Sequence, residues 1–425
     1  MTFKRSAPTT RPQASLSNED RPKLRKDLEP FAVRSDSGAI YIGLQDRLRL
    51  SENQVVMPEN LAFVLQFFDG RHSTLDIRAA YLRQFGSFLF QEQLADLIQN
   101  LDANFFLENE RSRARYQEIS AAFEQQPFRI PLCAGASYAA EARELNAELD
   151  RFTQLAVVTD QQASQFAGQT ISAIVVPHID PRLGGPTYAA AYKTLAQAAP
   201  ADLYVILGIG HQSITQSFAL TDKDFDTPLG RVQTDKKLVA EFKNISPINF
   251  SHDQLAHRDE HSIEFQTLFL KHFIPRNFKI LPILCSFSYE TFKEPNGAVQ
   301  QTFESFTERL RRILSAYRGR ICLIASVDLA HIGPRYGDAQ RPDHRVLAHV
   351  ERHDRDLLQY LGARDQRGFQ ELFEQSRDRY RVCGYSALIT LLALSPPGAG
   401  RLLDYQQATM DDAGSAVSFA SMIFC

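Results

Sequence analysis

Leu203-Tyr-Val-Ile-Leu-Gly-Ile-Gly-His211 is the stretch on which the fold turns. Its apolar run is too short for a globular helix and too continuous for a half-exposed strand, so it reads as a strand buried on both faces. Two further runs have the same form, Ala173-Ile-Val-Val-Pro-His178 and Ile321-Cys-Leu-Ile-Ala-Ser-Val-Asp328-Leu-Ala-His331. Helical patterns separate the three, which implies a mostly parallel central sheet with helices on its faces. Such sheets hold ligands in loops beyond the carboxyl ends of their strands. Each run ends at a histidine, and Val382-Cys383-Gly384-Tyr385 adds a thiol at the edge of another apolar run. His178, His211, His331 and Cys383 are therefore candidates for one metal or redox pocket assembled from distant residues.

Outward from these runs, βα alternation continues through the second half of the chain. Strands are expected at 171–177, 203–208, 278–285 and 321–327, and helices near 187–199, 234–244, 261–273, 299–316 and 384–394. This α/β region begins near residue 130, after a helical linker over 111–129. Before the linker, residues 30–110 have a different pattern: a strand at Ala39-Ile-Tyr-Ile-Gly43, a helix from Pro58 stopped by Asp69-Gly70, and a helix opened by Ser73 as N-cap. A third helix follows from Gln91, with Leu94, Leu97, Ile98 and Leu101 on one face, then a closing strand at Phe105-Phe-Leu107. Residues 1–29, rich in Ser, Pro and charge, read as a flexible tail.

Composition narrows the function. With 47 Lys plus Arg against 50 Asp plus Glu, the chain has no global footprint for nucleic acid or an anionic membrane. The helix from Gln91 carries Glu92 and Asp96 and no Lys or Arg through Leu101, which argues against a DNA-reading helix. The amino terminus lacks the apolar stretch of a signal peptide and no window reaches the length of a membrane span, so a cytoplasmic protein is expected. Five dispersed cysteines without a Cys-x-x-Cys pair make no disulfide framework. A Gly-x-Ser-x-Gly elbow, a Walker loop and a Gly-x-Gly-x-x-Gly turn are all missing, which removes the anchors for serine hydrolase, P-loop and dinucleotide readings.

The candidate pocket residues have compatible chemistry. His178 leads into Asp180-Pro-Arg-Leu-Gly-Gly-Pro186, a run of turn formers, and His211 follows Gly208-Ile-Gly210, where glycines allow a tight turn or close approach. Cys383 lies near the start of an apolar helix, where the macrodipole favours thiolate. Imidazole with thiolate suits copper, zinc or iron rather than magnesium or calcium. In Arg258-Asp-Glu-His-Ser-Ile-Glu264, Asp259, His261 and Glu264 sit where a loop becomes a helix and are placed to orient ligands; Asp328 is placed to do the same.

These motifs together resemble the Memo family, which includes the bacterial AmmeMemoRadiSam system protein B group. The resemblance spans residues 130–425 and rests on Ala134-Gly-Ala-Ser-Tyr138, Val176-Pro-His178, Ile206-Leu-Gly-Ile-Gly-His211, Asp259-Glu-His-Ser-Ile-Glu264, Ser326-Val-Asp-Leu-Ala-His331, Cys383-Gly384 and Gly414-Ser-Ala-Val-Ser-Phe-Ala420. It implies a fold similar to LigB-like, class III extradiol dioxygenases and a related non-haem metal pocket. By that resemblance His178, His211 and Cys383 are the metal ligands, the ion is iron or copper, and Asp328 and His331 line the same site; with His261 they are the candidate catalytic side chains. This chain departs from the family pattern at Asp180, Gln212 and Cys133, where many members have glycine, histidine and histidine, so the pocket wall differs, and Gly184-Gly-Pro-Thr-Tyr188 is expected to form a different rim. The unit over 30–110 is similar to PqqD-like, winged-helix-like peptide-recognition domains, although a plain helical lid or dimerisation module has the same pattern.

Two functions follow from the sequence. One is a metal-dependent oxidoreductase acting in a pathway with a radical SAM enzyme, as the resemblance implies. The other is a non-catalytic adaptor that holds a peptide or a radical SAM partner protein through its first unit and keeps a vestigial dioxygenase-like pocket.

Overall fold

Along each central strand, alternate side chains face opposite sides, and that alternation builds two cores. Val205, Leu207, Leu323, Ala325, Ala173 and Val175 join one hydrophobic cluster, while Tyr204, Ile206, Cys322, Ile324, Ile174 and Val176 join another. The structure, a computed structural model, describes residues 17–34, 38–46, 48–211, 217–245, 254–294, 297–394 and 398–425. The chain divides into two compact units, Met1–Glu124 and Gln125–Cys425.

In the first unit, β1 (Leu28–Arg34), β2 (Ile40–Asp46) and β3 (Val55–Pro58) form an antiparallel sheet in that order. Three helices follow, α1 (Thr74–Phe85), α2 (Gln91–Ala103) and α3 (Glu110–Gln125). Ser73 caps α1 reciprocally: Asp76 N–H donates to its Oγ at 3.2 Å and Ser73 N–H donates to Asp76 Oδ2 at 2.9 Å. The helix expected from Pro58 is one α-turn, Glu59–Ala62, continued as a 3₁₀ turn over Phe63–Phe67. The expected closing strand is an isolated bridge between Leu107 and Leu24.

That bridge also corrects the tail. Residues 1–16 lie outside the described residues, but 17–29 are folded: Leu24 and Arg25 donate backbone N–H groups to Phe68 O at 2.8 Å and Phe106 O at 2.9 Å. Arg25 is buried and grips Asp46 with two guanidinium bonds of 2.8 and 2.9 Å. Composition hid this order because the segment is held by a paired charge and backbone bonds rather than by large apolar side chains.

The second unit carries a nine-stranded sheet among its described residues. After α4 (Ala142–Leu155) come β4 (Ala173–Val176), α5 (Pro181–Gln197), β5 (Leu203–Ile209) and β6 (Phe218–Leu220). Then follow α6 (Lys236–Ile245), α7 (His261–Phe273), β7 (Lys279–Cys285), α8 (Ala298–Ala316), β8 (Ile321–Ser326) and β9 (His331–Ile332). The chain ends with α9 (His344–Ala363), α10 (Gln366–Ser376), α11 (Tyr385–Leu394), β10 (Gly400–Thr409) and β11 (Ala416–Phe424). The main path is β9-β11-β4-β8-β5-β7-β6, with β10 paired to β11 and the two-residue strand Gln233–Thr234 beside β7 as the ninth.

At its centre β4, β8, β5 and β7 are parallel, as the buried runs imply. Antiparallel flanks, β11 beside β4 and β6 beside β7, make the sheet mixed rather than mostly parallel. The helices divide between its faces. Residues of α4, α5 and α7 pack into the cluster holding Ile206 and Ile324, and residues of α6, α8, α9, α10 and α11 into the one holding Val205 and Leu323. Among the described residues no helix is long and apolar enough to cross a membrane, and none of the five cysteines is in a disulfide.

The helix after His178 starts six residues earlier than its turn-forming sequence implies. Asp180 is its N-cap and Pro181 its first residue, a favourable pair for helix initiation. Gly184 and Gly185 are small because neighbours press on them: an added Cβ would stand 2.5 Å from Ile179 Cγ2 and 2.5 Å from the Phe152 ring. Gly184, Gly185, Thr187 and Tyr188 are buried inside α5 and form no rim.

Candidate metal centre

The carboxyl ends of three adjacent strands, β4, β8 and β5, carry the histidine-rich region, and the start of α7 completes it. His178 follows β4 and Pro177 and is buried. Its Nδ1 lies 2.9 Å from the carbonyl oxygen of Ser326, at the end of β8. A carbonyl only accepts, so the Nδ1 position holds the proton and Nε2 presents a lone pair. The backbone N–H groups of His178 and Ile179 donate to Asp328 Oδ1 at 3.0 and 3.1 Å, which clamps the strand end to the loop after β8. His178 Nε2 faces Asp328 Oδ2 at 3.6 Å and Cys383 Sγ at 3.4 Å. The Cys383 thiol has a second acceptor in the backbone carbonyl of Asp328, also at 3.4 Å, so its proton lies between that oxygen and the His178 lone pair.

His211, after β5 and Gly210, is organised by Glu260. Its Nδ1 is 3.0 and 3.1 Å from the two Glu260 oxygens, and its backbone N–H donates to Oε2 at 2.9 Å. Glu260 is the N-cap of α7 and also accepts the Ser262 N–H at 2.9 Å. The same carboxylate stands 3.4 Å from Nδ1 of His261, the first residue of the helix. One buried acid therefore faces two imidazoles. The His211 and His261 rings stack at 4.9 Å with 14° between planes, and His178 meets them edge-on at 5.0 and 5.5 Å. One ring nitrogen from each of the three lies within 4.8 Å of the others, a group able to hold a metal ion.

Hydrogen bonds beneath the rings fix the frame. Ser262 Oγ accepts the Ile209 N–H at 3.1 Å and donates to Ile209 O at 3.0 Å, tying α7 to β5. Gln266, one turn further along α7, donates to Pro177 O at 2.8 Å and Ser326 Oγ at 2.6 Å, which ties the same helix to β4 and β8. Close approach here requires glycine: a Cβ on Gly208 would stand 2.7 Å from both Ile263 Cγ1 and Ser262 Oγ. On Gly384 it would stand 2.8 Å from Val327 Cβ and 2.9 Å from Asp328 O, so this glycine lets Cys383 reach the pocket.

Burial sets the protonation states. It pushes His178 below the usual histidine value, opposed by the Asp328 charge, and lowers His261 to about 4 against the pull of Glu260. His331, on β9 with Nδ1 3.1 Å from Leu329 O, is likewise lowered by burial, again opposed by Asp328. Burial alone would raise Glu260, but the charge and hydrogen bonds of His211 hold it well below the normal carboxylate range. The Cys383 thiol is pushed well above its normal value by burial and then by Asp328. This reverses the expectation that the helix dipole would favour thiolate: desolvation next to a carboxylate outweighs the dipole of α11. In the absence of a cation, thiol is the favoured form.

Several residues differ in role from their sequence reading. Glu264 points away from the histidines and forms a buried ion pair with Arg129 at 2.6 Å, while Cys133 N–H donates to its Oε1 at 2.9 Å. Asp259 pairs with Arg258. The residue between them, Glu260, is the one that orients His211. Asp180 caps α5 and holds the Arg182 guanidinium at 2.6 and 2.9 Å. Gln212 lies outside the described residues.

Comparison with known proteins gives a consistent picture. The sequence profile of a family described as Memo-like protein matches residues 129–423. The chain is 27% identical over 408 residues to a MEMO1 family protein of Aquifex aeolicus, covering 95% of this chain and 100% of that one. It is 25% identical over 350 residues to one of Thermus thermophilus, covering 82% and 98% of the two chains. A third, from Methanopyrus kandleri, is 28% identical over 306 residues, 70% of this chain and 98% of the relative.

Proposed function

The chain belongs to the Memo-like protein family, and on that premise we propose that its histidine cluster is a metal centre for redox chemistry. The observation that supports this most is the proton placement. Ser326 O holds the His178 proton on Nδ1, which turns the Nε2 lone pair of that ring toward the cluster, and Glu260 fixes the His211 ring through its Nδ1. Two nitrogens on one ion stand at most about 4.2 Å apart, twice a bond of about 2.1 Å. A slight contraction of the three-histidine group therefore accommodates an ion.

His178, His211 and Cys383 are the ligands in this reading, with His261 as a neighbouring nitrogen donor. Nitrogen and sulfur donors favour iron or copper over magnesium or calcium, and a set short of full coordination leaves a position for substrate. Iron or copper held there would supply one-electron chemistry. Asp328 orients the His178 strand end, and His331, kept neutral by burial with its Nδ1 toward Leu329 O, accepts or returns a proton at Nε2.

Elemental analysis of protein purified without added metal tests the proposal. One iron or copper per chain is expected, lost in His178→Ala and Cys383→Ser. Glu260→Gln should weaken retention against a chelator by roughly 10–100-fold, the usual effect of removing a carboxylate that orients a ligand histidine. Metal absent from the parent protein, or unchanged in the variants, would overturn it.

For the smaller unit we propose peptide or partner-protein binding, with a radical SAM enzyme as the partner class. The supporting observation is Phe88 and Phe90 between α1 and α2, 70% and 62% exposed, more apolar surface than a purely structural turn needs. Capture of a substrate peptide or of that enzyme by the full chain, and not by residues 125–425, is the expected result; equal capture by both would refute it.

A further inference from the structure

At the opposite end of the parallel strands from the histidines, the starts of β5 and β7 frame a cavity of about 360 Å³. That is within the size range of small-molecule sites. Four cations line it, Arg231, Lys271, Arg276 and Lys279, against one lining carboxylate, Asp202. Three of the four have acidic neighbours: Arg276 meets Asp202 at 2.6 Å, Lys279 meets Asp235 at 3.2 Å and Arg231 meets Asp226 at 3.5 Å. Lys271, in the last turn of α7, has no acidic partner among the described residues. The cavity therefore holds positive charge in excess of its carboxylates.

The walls are held in place independently of any ligand. Asp202 Oδ2 accepts the Arg320 backbone N–H at 2.9 Å, and the Arg231 guanidinium lies 3.7 Å from the centre of the Phe128 ring. Phe278 packs edge-on against buried Tyr204 at 5.3 Å, and Tyr317 supplies a second aromatic surface in the cavity. The lysine and arginine side chains of the three pairs are each about two-fifths exposed, and pairs of that kind contribute little. Their cations can turn to a doubly charged oxyanion at small cost. Arginine would grip it through two N–H groups and lysine through a point charge.

We propose that this cavity is a binding site for a small phosphorylated metabolite, with its phosphate held by Lys271 and Arg276 and its organic part against Tyr317. Calorimetric titration of the full chain at fixed ionic strength tests this, using ATP, inorganic phosphate and adenosine as probes. Saturable binding of one ATP per chain is expected, weaker binding of phosphate, and none of adenosine. Lys271→Glu should reduce ATP affinity at least tenfold with an unchanged unfolding midpoint; Arg276→Ala is the second variant should the first fail to fold. Phosphate binding as tightly as ATP would support the anion site with free phosphate as its source and remove the organic contact. Equal binding by parent and both variants, uptake at many sites, or adenosine binding like ATP would overturn the proposal.

Discussion

His257 shows how one buried imidazole couples folding to pH. It is almost fully buried, its Nε2 lies 3.0 Å from Ala219 O, and its Nδ1 has no hydrogen-bond partner among the described residues. Burial lowers its pKa from 6.5 to about 4. The folded state thus refuses a proton that the unfolded chain accepts between those values. Stability from this residue is complete above pH ~6.5 and declines as pH falls toward 4, by on the order of 3 kcal/mol. His257→Gln keeps a side-chain donor toward Ala219 O without titrating. Urea unfolding between pH 7 and 4 should therefore show a shallower loss for the variant, and parallel profiles would rule His257 out. Neither His257 nor Glu260 stood out in the sequence. Glu260 lies between two acids of similar promise, and only the cap geometry of α7 decides which of the three faces His211. That His178 and His211 meet was legible because each ends a buried strand of one sheet, and loops beyond such strand ends gather at the same edge.

At the scale of elements, Gly208 is the contact on which the position of α7 depends. A methyl there would drive Ile263 and Ser262 away from β5, and the helix start carries Glu260 and His261 with them. Gly208→Ala should cost about 1–3 kcal/mol, the usual penalty for overpacking a dense interior. Denaturant unfolding measures that cost, and chelator competition should show weaker metal retention in the same variant. A stability change under ~0.5 kcal/mol would mean the helix does not lean on this glycine. The central strands and the helices between them were readable from uninterrupted Val, Ile and Leu runs and from helical periodicity. The C-terminal hairpin was not. β11 is buried along its whole length and so lacks the alternation of an antiparallel strand, while β10 is buried at Asp404 and otherwise mixes half-buried and exposed positions. The turn-former run after His178 misled for a related reason: its glycines answer to Phe152 and Ile179, neighbours that sequence alone does not reveal.

At the scale of the molecule, the two units have separate interiors. Leu44, Val64, Ile77, Leu94 and Phe106 belong to a cluster confined to the first unit, while two larger clusters fill the second. Every proposed ligand, together with Glu260, Asp328 and the Ser262–Gln266 frame, lies within Gln125–Cys425. A chain that buries its own core and supplies its own site does not need the preceding residues to fold. The 125–425 fragment should therefore unfold in one cooperative transition and keep the full chain's metal content per mole. The buried Arg129–Glu264 pair sharpens the expectation, since it fixes residues near the fragment's start to α7. Glu264→Ala leaves Arg129 buried without a counter-charge, which typically costs 3–5 kcal/mol. In the fragment that loss should be as large as in the full chain. A fragment that aggregates or binds no metal while the full chain does would show that the smaller unit completes the larger one, and the division of labour proposed for the two would fail.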